Sequence, residues 1–268
     1  MTAAPPTVLT VAGSDPSGGA GLQADLKTIH QHGAYGAAVP TLITVQDSLE
    51  VARVELLSAD LVLAQLLAVL CDLEPAVAKA GALGSPEAAR ALGSIMEKTP
   101  FGWVVDPVWL PSRGAPLSTG DMIVAYKDAI IPYAELVTPN GPEAALLAEM
   151  PVRTLEDARS AAERIAALGA AAVLIKGGHL QGADRGTDLL LHSGEVKVLK
   201  AAAIIPGRFH GTGCALSAAI ASRLAFGEDL AAAVEGAKAW LAGALVHAFA
   251  VGKGAKPVNH LWSLDEKP

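Results

Sequence analysis

The chain has 268 residues, of which 51% are hydrophobic and 4% aromatic, and its formal net charge is −7. This length and apolar content can bury a large core, in one large α/β domain or two small ones. The acidic balance, with no basic block, argues against nucleic acid or an anionic membrane surface as a partner.

The sequence also lacks the signals of export and of disulfide bonding. Its N-terminus has no basic flank followed by an apolar run, and no apolar run reaches the roughly 18–20 residues that cross a bilayer. Cys71 and Cys214 are the only cysteines and lie far apart in the sequence. We therefore expect a cytoplasmic protein without a disulfide framework.

Short β-rich runs alternate with longer runs rich in Ala and Leu along most of the chain. The predicted strands are Val8–Ala12, Ala38–Ile43, Ala76–Lys79, Trp103–Asp106, Leu136–Thr138 and Ala172–Lys176. The predicted helices are Ala20–Gln31, Ala59–Cys71, Pro86–Glu97, Thr119–Ile131, Gly141–Ala148 and Leu155–Leu168. Several strands are apolar throughout, which is typical of strands covered on both faces. The rhythm predicts an α/β fold with a doubly wound, mostly parallel central sheet and helices on both faces.

The C-terminal part departs from this alternation. Leu189–His192 and Glu195–Leu199 predict an antiparallel hairpin, and helices are predicted over Cys214–Phe226 and Asp229–Ala250. The Pro- and Gly-rich stretch Leu110–Leu117 is interpreted as a mobile surface loop rather than an interdomain linker. With no repeat and no linker, we expect a single domain over residues 1–268.

Polar residues follow the predicted strands, at the edge of a parallel sheet where ligands bind. The first of these stretches, Gly13–Gly21, has Walker A glycine spacing, but Gly19 and Ala20 stand where Lys and Ser or Thr are required. Gly19–Ala24 matches a dinucleotide fingerprint, yet it starts too far from its strand and lacks the acidic residue about 20 positions on. A flexible turn that caps a helix is an alternative; we favour a loop that folds over a small polar substrate.

Further strand-end residues are candidates for phosphate and metal handling, each with a structural alternative. Asp106 ends a buried strand, where its carboxylate can hold Mg²⁺-bound water or simply cap the strand. Asn140 and Glu143 share a face at a helix start, which suggests water-mediated Mg²⁺ binding, although Glu there is also ordinary helix-dipole chemistry. Lys176 precedes two glycines and can reach a ligand phosphate or remain solvated.

The strongest local signal is HGTGC at 210–214, followed at once by a helix-forming run. Two glycines around a threonine aim several free N–H groups at the positive end of a helix dipole, and such a point binds an anion, most often phosphate. Cys214 lies at its mouth, where we expect a lowered thiol pKa. The alternative is a Gly-rich helix entry with a structural cysteine. His210 would line the anion hole or be a structural turn residue.

Together these residues resemble the hydroxymethylpyrimidine/phosphomethylpyrimidine kinases of thiamine biosynthesis, members of the ribokinase-like superfamily. The resemblance covers nearly the whole chain. It is carried by AGSDPSGGAGLQADLKT at 12–28, Gln46, DPV at 106–108, TPN at 138–140 with Glu143, KGGH at 176–179 and HGTGC at 210–214.

The resemblance implies a homodimeric kinase that uses ATP and Mg²⁺ to phosphorylate 4-amino-5-hydroxymethyl-2-methylpyrimidine and then its monophosphate. Gln46 would hydrogen-bond the aminopyrimidine, in a pocket lined by Gly13, Ala20, Thr44 and Val108. The implied catalytic residues are Cys214, Lys176, Gly211, Thr212 and Gly213. The implied nucleotide-side residues are Asp106, Asn140, Lys176 and Gly213. Mg²⁺ would be held by Asp106 and Glu143 through water.

Some features of the chain keep alternatives open. Arg208-Phe209 replaces a polar pair common in the family, and Ala82 replaces an expected methionine, which implies a roomier pyrimidine pocket. Cys214 would serve as base for the substrate hydroxyl or, if transfer is dissociative, only as a packing and orienting residue. The competing functions are a pyridoxal kinase, a non-catalytic pyrimidine- or phosphate-binding protein, and a nicotinamide oxidoreductase.

Overall fold

A computed structural model of the chain describes residues 4–108, 121–201 and 204–265. Its main sheet has nine strands in the order β3-β2-β1-β4-β5-β6-β7-β8-β9. These strands are β1 (Thr7–Ser14), β2 (Tyr35–Gln46), β3 (Val51–Leu56), β4 (Val77–Ala80), β5 (Gly102–Val105), β6 (Leu136–Val137), β7 (Ala172–Ile175), β8 (Asp188–His192) and β9 (Glu195–Leu199). A second, two-stranded sheet pairs β10 (Phe209–His210) with β11 (Lys256–Pro257) in parallel.

The six strands from β2 to β7 in the spatial order are mutually parallel. β3 is antiparallel to β2 at one edge, and the β8–β9 hairpin continues the sheet beyond β7 at the other. The order places β2 on one side of β1 and β4 on the other, so the winding of the chain reverses between β1 and β4. Ligand sites in open α/β sheets lie beyond the carboxyl ends of strands at such a switch point.

Helices cover both faces of this sheet. They are α1 (Gly21–Gln31), α2 (Ala59–Asp72), α3 (Pro86–Met96), α4 (Asp121–Ala125), α5 (Gly141–Ala148), α6 (Leu155–Ala166), α7 (Thr212–Ala225), α8 (Leu230–Val246) and α9 (Trp262–Asp265). Helix α4 continues into a π-helical turn over Tyr126–Ile130 and a 3₁₀ turn over Ile131–Tyr133. Two further 3₁₀ turns span Gly177–His179 and Gly182–Asp184. Among the described residues, no helix combines the length and apolar character needed to span a bilayer.

Successive residues of the central strands pack into two separate cores. Trp103 and Val105 of β5 face the core beneath α2 to α6, whereas Val104 faces the core beneath α1, α7 and α8. Because each strand is buried on both faces, it is apolar throughout, as the sequence predicts. The predicted fold class is therefore confirmed.

Several predicted boundaries need correction. The edge strand β3 was not predicted, because its exposed, charged sequence VARVEL lacks an apolar run. The last long helix ends at Val246 rather than Ala250. Helix α7 begins two residues before Cys214, directly after the left-handed Gly211. The predicted loop Leu110–Leu117 lies outside the described residues.

Candidate active site

One cleft of about 1080 Å³ opens at the carboxyl ends of the parallel strands, next to the switch point. Every site residue predicted from the sequence contributes to its lining. Those residues are Gly13, Ala20, Thr44, Gln46, Asp106, Val108, Asn140, Glu143, Lys176, Gly211, Thr212, Gly213 and Cys214. The prediction that strand-end residues converge on one place is therefore correct as geometry.

The N-terminus of α7 faces this cleft. Gly211 is its N-cap with φ 76°, and a Cβ there would lie 1.8 Å from the carbonyl oxygen of Gly19, so only glycine fits. The first intrahelical hydrogen bond runs from the Ala215 N–H to the Gly211 oxygen at 2.9 Å. The N–H groups of Thr212 and Gly213 precede that bond and belong to the orphan donors of a helix start. This is the geometry of an anion site at the positive end of a helix dipole.

Lys176 joins this helix start to the two buried carboxylates. Its Nζ lies 2.5 Å from Oδ1 of Asp106 and 3.8 Å from Oε2 of Glu143. A Cβ on Gly213 would lie 3.1 Å from both Lys176 Nζ and Asp106 Oδ2, so the absence of a side chain lets the helix start approach the ion pair. Burial alone would lower the Lys176 pKa, but the Asp106 charge raises it. The lysine is therefore a permanent cation beside the anion site.

Glu143 is held in place by the start of α5. Its Oε2 accepts from the Asn140 backbone N–H at 2.7 Å, while the Asn140 side-chain oxygen accepts from the Glu143 N–H at 2.9 Å. The pair therefore forms a reciprocal capping box, a structural role beyond the helix-dipole alternative considered for Glu143. Burial raises the Glu143 pKa to about 7, against the attraction of Lys176. The cap fixes Glu143 in the lining of the cleft.

The acidic residues fit a divalent cation held largely through water. Within the described residues, no group of three or more His, Cys, Asp or Glu side chains forms a metal cluster. Asp106 is fully buried, however, and within that same part of the chain its Oδ2 has no hydrogen-bond partner. An orphaned carboxylate oxygen near Glu143 suits Mg²⁺, which prefers oxygen ligands and keeps several waters.

The expectation of a lowered Cys214 pKa is wrong. Burial raises the pKa of the Cys214 thiol to about 11, and the negative charges of Asp25 and Asp106 act in the same direction. The positive charge of Lys79 and a hydrogen bond from the Gly21 backbone oppose this shift without cancelling it. The residue is partly buried and lines the cleft. The helix dipole is outweighed because desolvation strongly disfavours a thiolate.

A buried ion pair beneath the cleft was missed in the sequence. Lys79 Nζ lies 2.7 Å from Asp25 Oδ2, and the Thr10 hydroxyl donates to the same oxygen at 2.6 Å. Both charged side chains are wholly buried, and Lys79 also lines the cleft. Burial would lower the Lys79 pKa, but the nearby Asp25 charge raises it, so the lysine keeps its proton. Lys79 ends the predicted apolar strand Ala76–Lys79, and that position was its only signal in the sequence.

The part of the cleft around Gln46 is built from small side chains. Gly13 packs tightly against Leu42, because a Cβ at position 13 would lie only 2.6 Å from Leu42 Cδ1. Thr44 donates to the Ser14 oxygen at 3.0 Å, which fixes the end of β2 against the end of β1. Ala82 also lines this cleft, so the missing side-chain volume noted in the sequence is at the site itself.

The cleft also contains charged residues that no motif in the sequence indicated. Lys238 of α8 contacts Asp188, and the Asp188 Oδ1 accepts from the Gly177 N–H at 2.7 Å. This fixes the turn after Lys176 to helix α8. Arg208 and Phe209 also line the cleft, so the departure from the family pattern lies at the site.

Comparisons with known proteins agree with this geometry. A family model described as phosphomethylpyrimidine kinase matches residues 15–259. The chain belongs to the phosphomethylpyrimidine kinase family. The hydroxymethylpyrimidine/phosphomethylpyrimidine kinase of Synechococcus elongatus is 40% identical over 259 residues, covering 97% of this chain and 98% of that protein. The sequence-based identification is thus confirmed.

Solved structures that are similar to this chain include a pyridoxal kinase and a phosphomethylpyrimidine kinase. Pyridoxal kinase from Staphylococcus aureus in complex with pyridoxal has a TM-score of 0.88 at 32% identity, covering 99% of this chain and 97% of that one. Phosphomethylpyrimidine kinase from Clostridium difficile 630 has a TM-score of 0.79 at 37% identity, covering 88% and 97%. The chain is therefore a kinase of this family, which excludes the nicotinamide oxidoreductase considered above.

Proposed function

We propose that the protein transfers the γ-phosphoryl group of ATP to the hydroxymethyl oxygen of 4-amino-5-hydroxymethyl-2-methylpyrimidine. The resulting monophosphate is then phosphorylated to the diphosphate, as a step in thiamine biosynthesis. The observation that carries the proposal is the contact of the α7 helix start, at Gly213, with the Lys176–Asp106 ion pair. This contact brings backbone donors and a fixed cation to one point in a cleft that also contains Gln46.

Phosphoryl transfer needs positioning and charge neutralisation more than covalent help from the protein. The substrate oxygen forms a bond to the γ-phosphorus as the bond to the ADP oxygen breaks, and the hydroxyl proton passes to an oxygen of the transferred phosphoryl group and from it to water. The N–H groups at Gly211, Thr212 and Gly213 and the Lys176 ammonium face the charge on the transferred group. Bound Mg²⁺ would add charge neutralisation at the phosphates, near Asp106 and Glu143. Asn140 supports that site by capping the helix that positions Glu143.

We assign Cys214 an orienting role for the substrate alcohol. Its thiol retains its proton near neutral pH because its pKa is raised to about 11, so it is a poor base in the ligand-free cleft. A loose transition state delays loss of the hydroxyl proton until the new bond is nearly formed, and such a reaction needs no strong base.

Gln46 gives the pocket its preference for an aminopyrimidine. A side-chain amide offers a donor and an acceptor side by side, which matches a ring nitrogen next to an exocyclic amine. The small residues Gly13, Ala20, Thr44 and Val108 leave room for the ring. Pyridoxal is the second candidate substrate, favoured by the TM-score of 0.88 to a pyridoxal kinase. Ala82 is smaller than the methionine expected at this position, so the same pocket can hold a larger ring substituent.

The assembly we propose is a homodimer formed through the outer face of the β2–β3 hairpin. Ile43 and Val45 point outwards from β2 and are each 48% exposed. Their partners across the hairpin are Glu55 and Arg53, which form an ion pair at 3.1 Å. An apolar strip with a charged border is typical of protein interfaces. The two free cysteines and the use of ATP support a cytoplasmic location.

Phosphorus NMR tests the two-step reaction directly. The protein is incubated with Mg²⁺-ATP and the pyrimidine alcohol, and the signals of a phosphate monoester and then a diphosphate should appear as ADP accumulates. Lys176→Met should lower kcat by about 10²-fold or more, because the cation beside the transferred group is lost. Lys98→Met, which changes a lysine outside the cleft lining, is the control. ATP consumption without a phosphorylated pyrimidine would refute the proposal.

A further inference from the structure

One imidazole nitrogen connects the substrate end of the cleft to the anion site. His210 Nε2 lies 2.9 Å from Asp15 Oδ2 and 2.9 Å from the side-chain amide of Gln46. The Asp15 side chain is only 4% exposed and that of His210 21%, so water is largely excluded from this contact. His210 directly precedes Gly211, the N-cap of α7. The three side chains form what we call the His210 triad: Asp15, Gln46 and His210.

The proton of the His210 triad is on His210 Nε2. Asp15 is fixed as a carboxylate, since its two oxygens accept from the Ser17 N–H at 2.9 Å and the Ala20 N–H at 2.8 Å. Burial would raise the Asp15 pKa, but hydrogen bonds from His210 and Ser17 lower it overall. A carboxylate can only accept, so the ring nitrogen facing it must donate. This holds whether the imidazole is neutral or charged.

The position of this proton fixes the orientation of the Gln46 amide. With its NH₂ toward His210, two donors would face each other at 2.9 Å. A half-turn of the amide about its last side-chain bond puts Oε1 there instead, and hydrogen bonding is the criterion that distinguishes the two orientations. His210 Nε2–H is then shared by Asp15 and Gln46 Oε1. The Gln46 NH₂ and the second lone pair of Oε1 remain for a ligand.

The imidazole itself is held rigidly. A Cβ on Gly19 would lie 2.7 Å from His210 Cδ2 and 3.5 Å from the Pro257 Cβ, so the ring packs closely against the glycine loop. His210 also pairs with Pro257 in the two-stranded sheet. Because ring and backbone are both restrained, the N–H direction is preset before substrate arrives.

We propose that His210 is a positioning residue that selects substrates by fixing the donor–acceptor orientation of Gln46. This inference rests on the proposed function, in which Gln46 meets the substrate ring. With Oε1 held by His210, Gln46 donates through its NH₂ to a ring nitrogen and accepts at Oε1 from an adjacent exocyclic amine. A 4-aminopyrimidine has this pattern, whereas its 4-oxo analogue, with a ring N–H beside a carbonyl, has the reverse. His210 therefore determines discrimination between the two.

The kinetic test compares the 4-amino alcohol with its 4-oxo analogue. In His210→Leu, kcat/KM for the amino substrate should fall about 10-fold, mainly through KM, and the preference over the oxo analogue should shrink because the amide rotates freely. His210→Gln, which offers an N–H donor on a side chain of similar reach, should restore much of both. In a Gln46→Ala background, His210→Leu should have no further effect on kcat/KM. An equal loss of kcat in both backgrounds, with the preference unchanged, would overturn the inference.

An independent measurement uses the unmutated protein. Nitrogen NMR of histidine-labelled protein should show His210 Nε2 protonated without substrate, and an unprotonated Nε2 would overturn the inference whatever the kinetics show. If the wild-type protein phosphorylates neither pyrimidine, the proposed function fails. The NMR result alone then decides whether His210 Nε2 carries the proton of the His210 triad. If it phosphorylates the amino alcohol but His210→Leu keeps full discrimination, only the role of His210 fails.

Discussion

At the scale of single residues, the thiol of Cys214 is the clearest case of competing electrostatic effects. The N-terminus of α7 and Lys79 favour the thiolate, whereas desolvation and the charges of Asp25 and Asp106 favour the thiol. Desolvation is the largest of these effects, so the thiol form dominates below a pH of about 11. A helix start alone is therefore insufficient to identify a reactive cysteine.

The pH dependence of alkylation tests this balance. In a Cys71→Ser variant without ligands, the rate of Cys214 alkylation by iodoacetamide should rise about tenfold per pH unit above pH 8, because only the thiolate reacts. The rise should level off only toward pH 11, where the thiol becomes half ionised. The Cys71→Ser/Cys214→Ser double variant gives the background reaction, and Cys214→Ser, which retains the exposed Cys71, gives the reference for an exposed thiol. A plateau near pH 8.5 would show an ordinary thiol.

At the scale of secondary-structure elements, the Lys79–Asp25 pair joins β4 to α1 beneath the cleft. Both side chains are wholly buried, and Asp25 Oδ1 has no hydrogen-bond partner within the described residues. A buried ion pair of this kind adds little stability over an apolar pair of similar volume. Removal of one partner is costly, however, because it leaves the other charge buried without a counter-ion.

Asp25→Ala should therefore lower the free energy of unfolding by about 3–5 kcal/mol, measured by urea denaturation. The cost arises because the Lys79 ammonium would remain buried without its counter-ion. The double variant Asp25→Leu/Lys79→Met, which removes both charges at similar volume, should recover most of that stability. A single variant as stable as the wild-type protein would contradict the account.

Comparison of the predicted with the observed elements shows which parts of the fold the sequence determines locally. Strands buried on both faces, such as β7, are predicted from their apolar runs, and α5 is predicted over Gly141–Ala148 without error. The edge strand β3 was not predicted because its side chains are mostly exposed and two of them, Arg53 and Glu55, are charged. The π-helical turn at Tyr126–Ile130 has no counterpart in helical periodicity. The sequence pattern predicts elements whose own residues determine their structure. Edge strands and irregular turns are harder to predict, because they depend on packing against other parts of the fold.

The site residues also fall into two groups: those that the sequence indicates and those that only the fold brings together. Glycines and charged residues at strand ends indicated the cleft, because topology brings those ends together. The Lys79–Asp25 and His210–Asp15 contacts join residues 54 and 195 positions apart, and no spacing in the sequence predicts them. The thiol pKa of Cys214 also depends on burial that the motif does not reveal.

At the scale of the whole molecule, the nine-stranded sheet extends from the β2–β3 edge to the β8–β9 hairpin. Its continuity supports our proposal that the chain forms one domain. The β2–β3 edge also contributes Gln46 to the cleft, so dimerisation through this hairpin would stabilise the substrate end of the site.

Charge on this face tests the proposed dimer. The Ile43→Lys/Val45→Lys variant should have the mass of one chain by light scattering, where the wild-type protein has that of two, because like charges would meet across the interface. Val124→Lys, at a site that is 50% exposed on α4, is the control and should remain dimeric. A dimeric double variant, or a monomeric wild-type protein, would exclude this interface.

The central claim is that this cleft selects an aminopyrimidine alcohol for phosphorylation by ATP. A coupled assay of ADP release should compare kcat/KM for 4-amino-5-hydroxymethyl-2-methylpyrimidine, its monophosphate and pyridoxal under the same Mg²⁺-ATP conditions. We predict turnover of both pyrimidines, with kcat/KM for the alcohol at least about tenfold above that for pyridoxal, as expected for one additional matched hydrogen-bond pair. Turnover of pyridoxal alone, or no substrate-dependent ADP release, would contradict the account.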